Sequence, residues 1–152
     1  MKWLLLGIGV LLFSQSGYSF FHRRNDTELI MMKLQEAKIL MADEKYDEAI
    51  NLLKQIVDQY PEEEKTEIAL ATINHCYQII GYMNEAFDYY QEVEKKHPDT
   101  RVALVAVYYY IPILIQRERY QEAIQKCQQI YDKAPESYWA IGSLFNLSLI
   151  HI

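Results

Sequence analysis

Residues 46–61 read YDEAINLLKQIVDQYP, and the same pattern returns as MNEAFDYYQEVEKKHP at 83–98 and as YQEAIQKCQQIYDKAP at 120–135. Each copy ends in a proline that lies 37 residues after the previous one, and each carries Glu-Ala at its third and fourth positions. Large or apolar residues also recur at the first position and at four and seven residues after the alanine. This register, kept over three copies, indicates an internal repeat.

Within each copy the apolar residues follow a helical period. In the first copy Tyr46, Ala49, Leu53 and Ile56 fall three or four residues apart, which predicts one apolar stripe on a helix. The closing proline ends that helix because it has no N–H to donate to the hydrogen-bond ladder. The pattern predicts B helices at 46–60, 83–97 and 120–134, preceded by amphipathic A helices at 27–42, 63–80 and 100–117, with a fourth A helix at 138–152.

A single hairpin of this kind leaves its apolar face uncovered, whereas a row of hairpins buries that face between neighbours. The predicted fold class is therefore all-α, a solenoid of helical hairpins with a 37-residue period. The predicted repeat domain covers residues 27–152, with full repeats at about 30–66, 67–103 and 104–140 and a half repeat at 141–152. Because the half repeat lacks its B helix, the sequence predicts a truncated chain or a final helix that docks on a partner or on another copy.

The spacing of Tyr46, Ala49, Leu53 and Pro61 resembles the second helix of a tetratricopeptide repeat, and residues 144–151 resemble its first helix. The common unit of that family has 34 residues, and the additional residues here precede the next A helix. The resemblance implies a non-enzymatic scaffold, without a cofactor, that binds a protein or peptide on a concave face lined by the A helices.

Residues 1–19 have the three-part layout of a signal peptide. Lys2 precedes an apolar run from Leu4 to Phe13, and small and polar residues follow up to Ser19. We predict cleavage after Ser19, a short linker at 20–26 and a secreted or periplasmic protein with no membrane span after cleavage. The alternative is an uncleaved anchor, and the arginines that follow the apolar run weaken the export signal.

An export signal on a long-period repeat is similar to repeat proteins of the Gram-negative periplasm. That likeness implies a scaffold in envelope biogenesis or cell-wall assembly. The alternative is the N-terminal recruiting part of a longer exported enzyme, a peptidase or a murein hydrolase, whose catalytic domain lies beyond residue 152.

Composition argues against several other functions. The chain has 152 residues and a formal net charge of −6, which disfavours nucleic acid as a partner because phosphates are bound by basic surfaces. Its two cysteines and four histidines disfavour a zinc module or a disulfide framework. The sequence also shows no phosphate loop, nucleophile elbow or paired metal-binding histidines, so we predict no enzyme activity.

Counting around the A helices gives the residues expected on the concave face. Aromatic, amide and hydroxyl groups on such a wall suit an extended peptide or a helix. For Tyr108 and Tyr109 packing between repeats is an equal alternative, and for Tyr110 packing is the favoured interpretation. The predicted partner-binding residues are Gln35, Lys38, Thr72, His75, Gln78, Tyr108, Tyr109, Gln116, Phe145 and Asn146.

Four further residues carry predictions about packing. Cys76 is expected to be a small buried residue rather than a nucleophile, and its separation from Cys127 by two helices predicts no disulfide between them. Ile111 stands where the family prefers a small residue and is expected to push its two helices apart or to tilt them. Pro112 lies inside a predicted helix and is expected to distort it.

Overall fold

In the computed structural model of the chain, the structure describes residues 25–150, with side chains up to residue 148. The predicted signal peptide at 1–19, most of the linker and residues 151–152 lie outside the described residues. Within the described range the backbone forms helices joined by short turns, as predicted. The helices are α1 at 25–42, α2 Tyr46–Gln59, α3 Thr66–Ile80, α4 Met83–Lys96, α5 Arg101–Gln116, α6 Tyr120–Lys133 and α7 Tyr138–Ile150.

Within the described residues, the helix boundaries differ from the prediction by more than one residue at two places. Helix α1 already includes residues 25 and 26, which were assigned to the linker. Helix α3 begins at Thr66 rather than at residue 63. Thr100 and Ser137 accept hydrogen bonds from the backbone N–H groups of residues 103 and 140 and so cap α5 and α7. The equivalent position before α3 is a glutamate, a residue type that is not among the favoured caps.

The 37-residue repeat is visible in the backbone geometry of the turns. Glu44, Gly81 and Glu118 occupy the same position in the three A-to-B turns, and all three are left-handed, with φ of 60°, 77° and 59°. The residues that follow them, ahead of each B helix, have ψ of 60°, 61° and 55°. The turn therefore has one conformation whether or not the residue is glycine.

The buried positions repeat in the same register. Ala49, Ala86 and Ala123 are all 0% exposed, so the three copies place this alanine in like surroundings. Burial continues at the two following positions of each B helix, where Leu53, Tyr90 and Cys127 are followed by Ile56, Val93 and Ile130. The all-α solenoid of hairpins predicted from the sequence is confirmed.

The predicted separation of the third hairpin by Ile111 is wrong. Ile111 is fully buried, and α5 packs on α6 more extensively than α3 packs on α4. In the second hairpin the Tyr90 hydroxyl donates to Asn74 Oδ1 over 3.1 Å, which shows that these two repeat positions face each other. The same positions in the third hairpin hold Ile111 and Cys127, both buried, so a large A-helix residue is matched there with a small B-helix residue.

Helix α5 continues from Arg101 to Gln116 through Pro112, whose side chain is exposed. A proline on the open side of a helix has no neighbour to clash with beyond its own preceding turn. Within the part of the chain that the structure describes, no helix combines the length and the apolar character needed to cross a bilayer.

The A helices form the inner layer of the stack. Each of α3, α5 and α7 packs on the B helix before it, and α3 also packs on α5, which packs on α7. The B helices α2, α4 and α6 make no comparable contact with one another. Since the A helices lie closer together than the B helices, the stack curves toward the A-helix side and leaves open grooves between neighbouring B helices.

Candidate functional site

The structure places the predicted binding residues in three different environments. Thr72, Tyr108 and Tyr109 are half-buried, and Asn146 is buried. The exposed members of the set are Gln35, Lys38, His75, Gln78, Gln116 and Phe145.

Two members of the set are poorly placed to contact a partner. Asn146 is 8% exposed, so the structure places most of this residue below the open surface, and its role on the groove wall stays a prediction. The Thr72 hydroxyl donates to the Ile68 carbonyl over 2.7 Å, the bond to the preceding turn that threonine commonly makes inside helices. Its proton is therefore not available to a ligand.

Tyr108 and Tyr109 belong to a cluster of four aromatic residues, with Tyr138 and Trp139 from the start of α7; we call these four the aromatic cluster. The ring centroids of Tyr108 and Trp139 are 5.0 Å apart, and those of Tyr109 and Trp139 are 6.0 Å apart. Tyr138 meets Trp139 edge to face at 5.3 Å. Contacts of this geometry are favourable beyond the area they bury, so the cluster holds α5 and α7 together.

Helix α7 approaches the cluster closely because it carries a glycine there. A Cβ on Gly142 would lie 2.6 Å from Cε2 of Tyr108, which is too close for any real contact. The missing side chain thus makes the space that the Tyr108 ring occupies. Sequence reasoning identified Tyr108 and Tyr109 but missed Tyr138, Trp139 and Gly142. The sequence did contain a signal for Tyr138 and Trp139. They are two consecutive aromatic residues that follow Ser137, a residue type that commonly caps the start of a helix.

An open cleft of about 610 Å³ lies beside the cluster, between the N-terminal turns of α3, α5 and α7. At its edge the Arg101 guanidinium binds a single carboxylate oxygen of Glu67, with Nε at 2.7 Å and Nη2 at 2.6 Å. Arg101 is 61% exposed, so its remaining N–H groups face solvent. The cleft is lined by Glu67, Arg101, Leu104, Ala134, Ser137, Tyr138 and Trp139.

The two inner tyrosines of the cluster stay protonated at physiological pH. Burial, with a smaller contribution from Tyr108 and Tyr138, raises the pKa of Tyr109 to about 12. Burial also raises the pKa of Tyr108. Both hydroxyls therefore remain hydrogen-bond donors, and the surface combines apolar rings with neutral polar tips.

Tyr110 is fully buried and packs edge to face on Phe87 at 5.6 Å, which confirms the packing role predicted for it. Its hydroxyl donates to Glu94 over 2.5 Å. Lys126 and Gln129 donate to the other oxygen of the same carboxylate over 2.7 and 2.9 Å. We call these four residues the Glu94 network. It links α4, α5 and α6, and thus the second repeat to the third.

Both cysteines are buried in positions where a thiol stays protonated. Cys76 and Cys127 are both buried with free thiols. Burial raises the pKa of Cys76 and raises that of Cys127 to about 11, so neither is a thiolate at neutral pH. The prediction that Cys76 is a buried packing residue is confirmed. Among the described residues, no three His, Cys, Asp or Glu side chains are grouped so that they could hold a metal ion.

Residues 5–63 match the family model described as "Tetratricopeptide repeat". The match contains α1 and α2, and it begins within residues 1–19, the predicted signal peptide. The helical repeat that the structure shows over 25–150 has the same tetratricopeptide-like architecture beyond the matched range. Repeats of this type are typically non-catalytic scaffolds for protein–protein interaction. No curated protein sequence matches the chain.

Proposed function

We propose that this chain is an interaction scaffold that binds a peptide segment of a partner protein in the cleft beside the aromatic cluster. The observation that carries the proposal is the position of Tyr108, Tyr109, Tyr138 and Trp139, which contact one another on the inner, A-helix layer next to an open cleft. Tyrosine and tryptophan are enriched at the centres of interfaces because they bury a large rigid surface at a small cost in conformational entropy.

The lining indicates which kind of peptide fits. Leu104, Ala134 and the rings of Tyr138 and Trp139 provide an apolar floor for one aliphatic or aromatic side chain. The exposed N–H groups of Arg101 can donate to a carbonyl of the bound peptide backbone. A peptide with a large apolar residue in an extended conformation therefore matches both parts of the cleft.

The test uses Trp139 as the reporter. Trp3 is replaced by phenylalanine in the full chain, which leaves Trp139 as the single tryptophan, and peptides selected from a displayed library are titrated while its emission is recorded. Tyr138→Ala should weaken binding by about tenfold, since truncation of an aromatic anchor costs more than about 1 kcal/mol. Tyr138 is 70% exposed, so this variant should fold normally.

The matched control is Tyr131→Ala in α6, which removes a tyrosine that is 44% exposed on the B-helix side. It should leave the affinity unchanged. Equal weakening by both variants, or selected peptides that bind without altering Trp139 emission, would contradict a site at this cleft.

The proposal includes export of the scaffold to the cell envelope, supported by the layout of residues 1–19 and by their Leu4–Phe13 apolar run. Residues 1–24 fused to an alkaline phosphatase that lacks its own signal should give active enzyme in the periplasm of a Gram-negative host. Leu6→Arg in the fusion should abolish that activity. An inactive wild-type fusion that accumulates in the cytoplasm would contradict export.

A further inference from the structure

The groove between the B helices α2 and α4 is a second concave feature, on the opposite side of the stack from the aromatic cluster. It has a volume of about 550 Å³. We call it the B-helix groove. Its walls come from α2 and α4, and its floor includes Tyr77 of α3. The lining residues are Asp47, Ile50, Asn51, Lys54, Tyr77, Tyr82, Glu85, Asp88, Tyr89 and Glu92.

The charges of this groove are unbalanced. Four carboxylates, those of Asp47, Glu85, Asp88 and Glu92, line it against the single cation Lys54. In the part of the chain that the structure describes, none of the four forms an ion pair. Lys54 is not paired with a carboxylate there either.

A buried polar group in the same groove also lacks a partner. Tyr89 is 7% exposed, and its hydroxyl is the one buried side-chain oxygen or nitrogen of the described residues without a hydrogen bond. Leaving such a group unsatisfied costs about 1–3 kcal/mol. The Lys54 ammonium lies 4.3 Å from the Tyr89 ring centroid and 5.7 Å from that of Tyr77. A cation on the tyrosine faces is therefore compatible with the groove.

The equivalent region between the next two B helices, α4 and α6, shows which groups pack against aromatic and acidic side chains at these positions. There the chain supplies its own cations: Arg117 stacks on Phe87 at 4.2 Å, Arg119 pairs with Glu122, and Lys126 pairs with Glu94 at 2.7 Å. The 37-residue repeat aligns these three cations with neutral residues, and two of the three, Tyr82 and Tyr89, line the B-helix groove. The equivalents of Arg117, Arg119 and Lys126 are Ile80, Tyr82 and Tyr89.

We propose that the B-helix groove binds an arginine side chain of a partner protein. The guanidinium takes the place of Lys54 over the Tyr89 ring, one of its N–H groups donates to the Tyr89 hydroxyl at the ring edge, and the others pair with the carboxylates of Asp88 and Glu92 on α4. Arginine fits better than lysine because its planar group stacks on aromatic faces and can bind a carboxylate with two parallel hydrogen bonds. Lys54 can move aside because no ion pair holds it.

The probe is an acetylated and amidated Gly-Arg-Ala-Arg-Gly peptide, titrated at low salt into the isotope-labelled full chain and followed by the amide shifts. The shifts should concentrate in α2 and α4 and around Tyr77. The same peptide with citrulline in place of arginine should not bind, and a lysine version should bind more weakly. Shifts spread evenly over the acidic surface, or equal affinity for the lysine peptide, would overturn the proposal.

Two double variants test whether the peptide binds in the groove or is only attracted to the acidic surface as a whole. Asp88→Asn with Glu92→Gln should weaken binding by about fivefold, as expected from the loss of two exposed ion pairs. Glu62→Gln with Glu64→Gln makes the same change of charge at exposed positions outside the groove and should change the affinity by less than about twofold. Similar effects of the two double variants would show that the site is not the groove.

Tyr89→Phe gives a result that a purely structural role would not produce. It should weaken binding of the arginine peptide by about threefold, because the hydroxyl that the guanidinium would satisfy is gone. Stability without peptide should be unchanged or higher, because a buried hydroxyl without a partner is removed. Unchanged affinity would overturn the role of Tyr89. Tyr138→Ala changes the cleft and not the B-helix groove, so it should bind the arginine peptide with normal affinity. Binding at the groove and binding at the cleft can therefore be refuted independently of each other.

Discussion

The Glu94 network allows a prediction whose sign can be worked out from the geometry. Glu94 is the only acceptor that the structure shows for the Tyr110 hydroxyl, and Tyr110 is fully buried. Glu94→Ala therefore removes the one acceptor that the structure shows for this buried hydroxyl. Lys126 is about one quarter exposed and can turn toward water instead.

The magnitude follows from these environments. The stranded hydroxyl costs about 1–3 kcal/mol, and the lost bonds from Lys126 and Gln129 add about 1 kcal/mol because they are partly exposed. Glu94→Ala should thus lower the free energy of unfolding by about 3 kcal/mol. For a chain of this size that corresponds to a fall in Tm of about 9 °C. Tyr110→Phe keeps the ring packing and should cost about 1.5 kcal/mol.

The double variant provides the decisive comparison. Glu94→Ala with Tyr110→Phe removes the stranded hydroxyl, so it should be more stable than Glu94→Ala alone by about 1 kcal/mol. The assay is urea unfolding of the three variants and wild type, followed by far-UV circular dichroism. If adding Tyr110→Phe makes Glu94→Ala less stable, the hydroxyl is not stranded and the reasoning fails.

The same network predicts a pH dependence. Burial acts to raise the pKa of Glu94, but the hydrogen bonds from Lys126, Tyr110 and Gln129 outweigh it, and the net pKa is lowered. A lowered pKa in the folded state means that the stabilisation is present above the unfolded value, about 4.3, and is lost as the pH falls through the folded value. The stability difference between wild type and Glu94→Gln should therefore be largest near neutral pH and should shrink below about pH 4. A difference that grows on acidification would contradict this.

Three further changes test other parts of the structure. Gly142→Ala forces the Tyr108 ring to move, and the ring of Trp139 lies 5.0 Å from it. In the Trp3→Phe background the variant should therefore shift the emission of Trp139. An unchanged spectrum would contradict the close packing of Gly142 on Tyr108. Gly81→Ala places a side chain in a left-handed turn and should lower the free energy of unfolding in urea by about 1 kcal/mol, whereas unchanged stability would show that the turn relaxes. Leu144 is 51% exposed on α7, so Leu144→Glu should reduce any self-association that light scattering detects in the wild type; association that persists in the variant would assign it to another surface.

The repeat and the helical hairpins were predictable because they depend on local chemistry. A proline every 37 residues ends a helix wherever it occurs, and apolar residues at three- and four-residue spacing define a stripe that must be buried. The burial of Ala49, Ala86 and Ala123 followed from that period alone. The period also gave every described helix boundary to within three residues.

The binding surface was only partly predictable. Position on an A helix correctly indicated that His75, Gln78 and Phe145 are exposed, but it could not show that Asn146 is buried. It also missed Trp139, since the contact between that residue and Tyr108 joins two different A helices, α5 and α7. Burial at a given position depends on the neighbouring repeat, which the period of one helix does not describe.

The sequence by itself determined the period, the hairpins and the all-helical class, because each of these depends on residues close together along the chain. Only the tertiary structure decided that Glu44 and Glu118 adopt the left-handed turn of Gly81, that the bulky Ile111 is fully buried in the third hairpin, and that Tyr89 is buried without a hydrogen-bond partner. These outcomes depend on how one helix pair packs against the next. Packing against a neighbour can override what an isolated residue prefers.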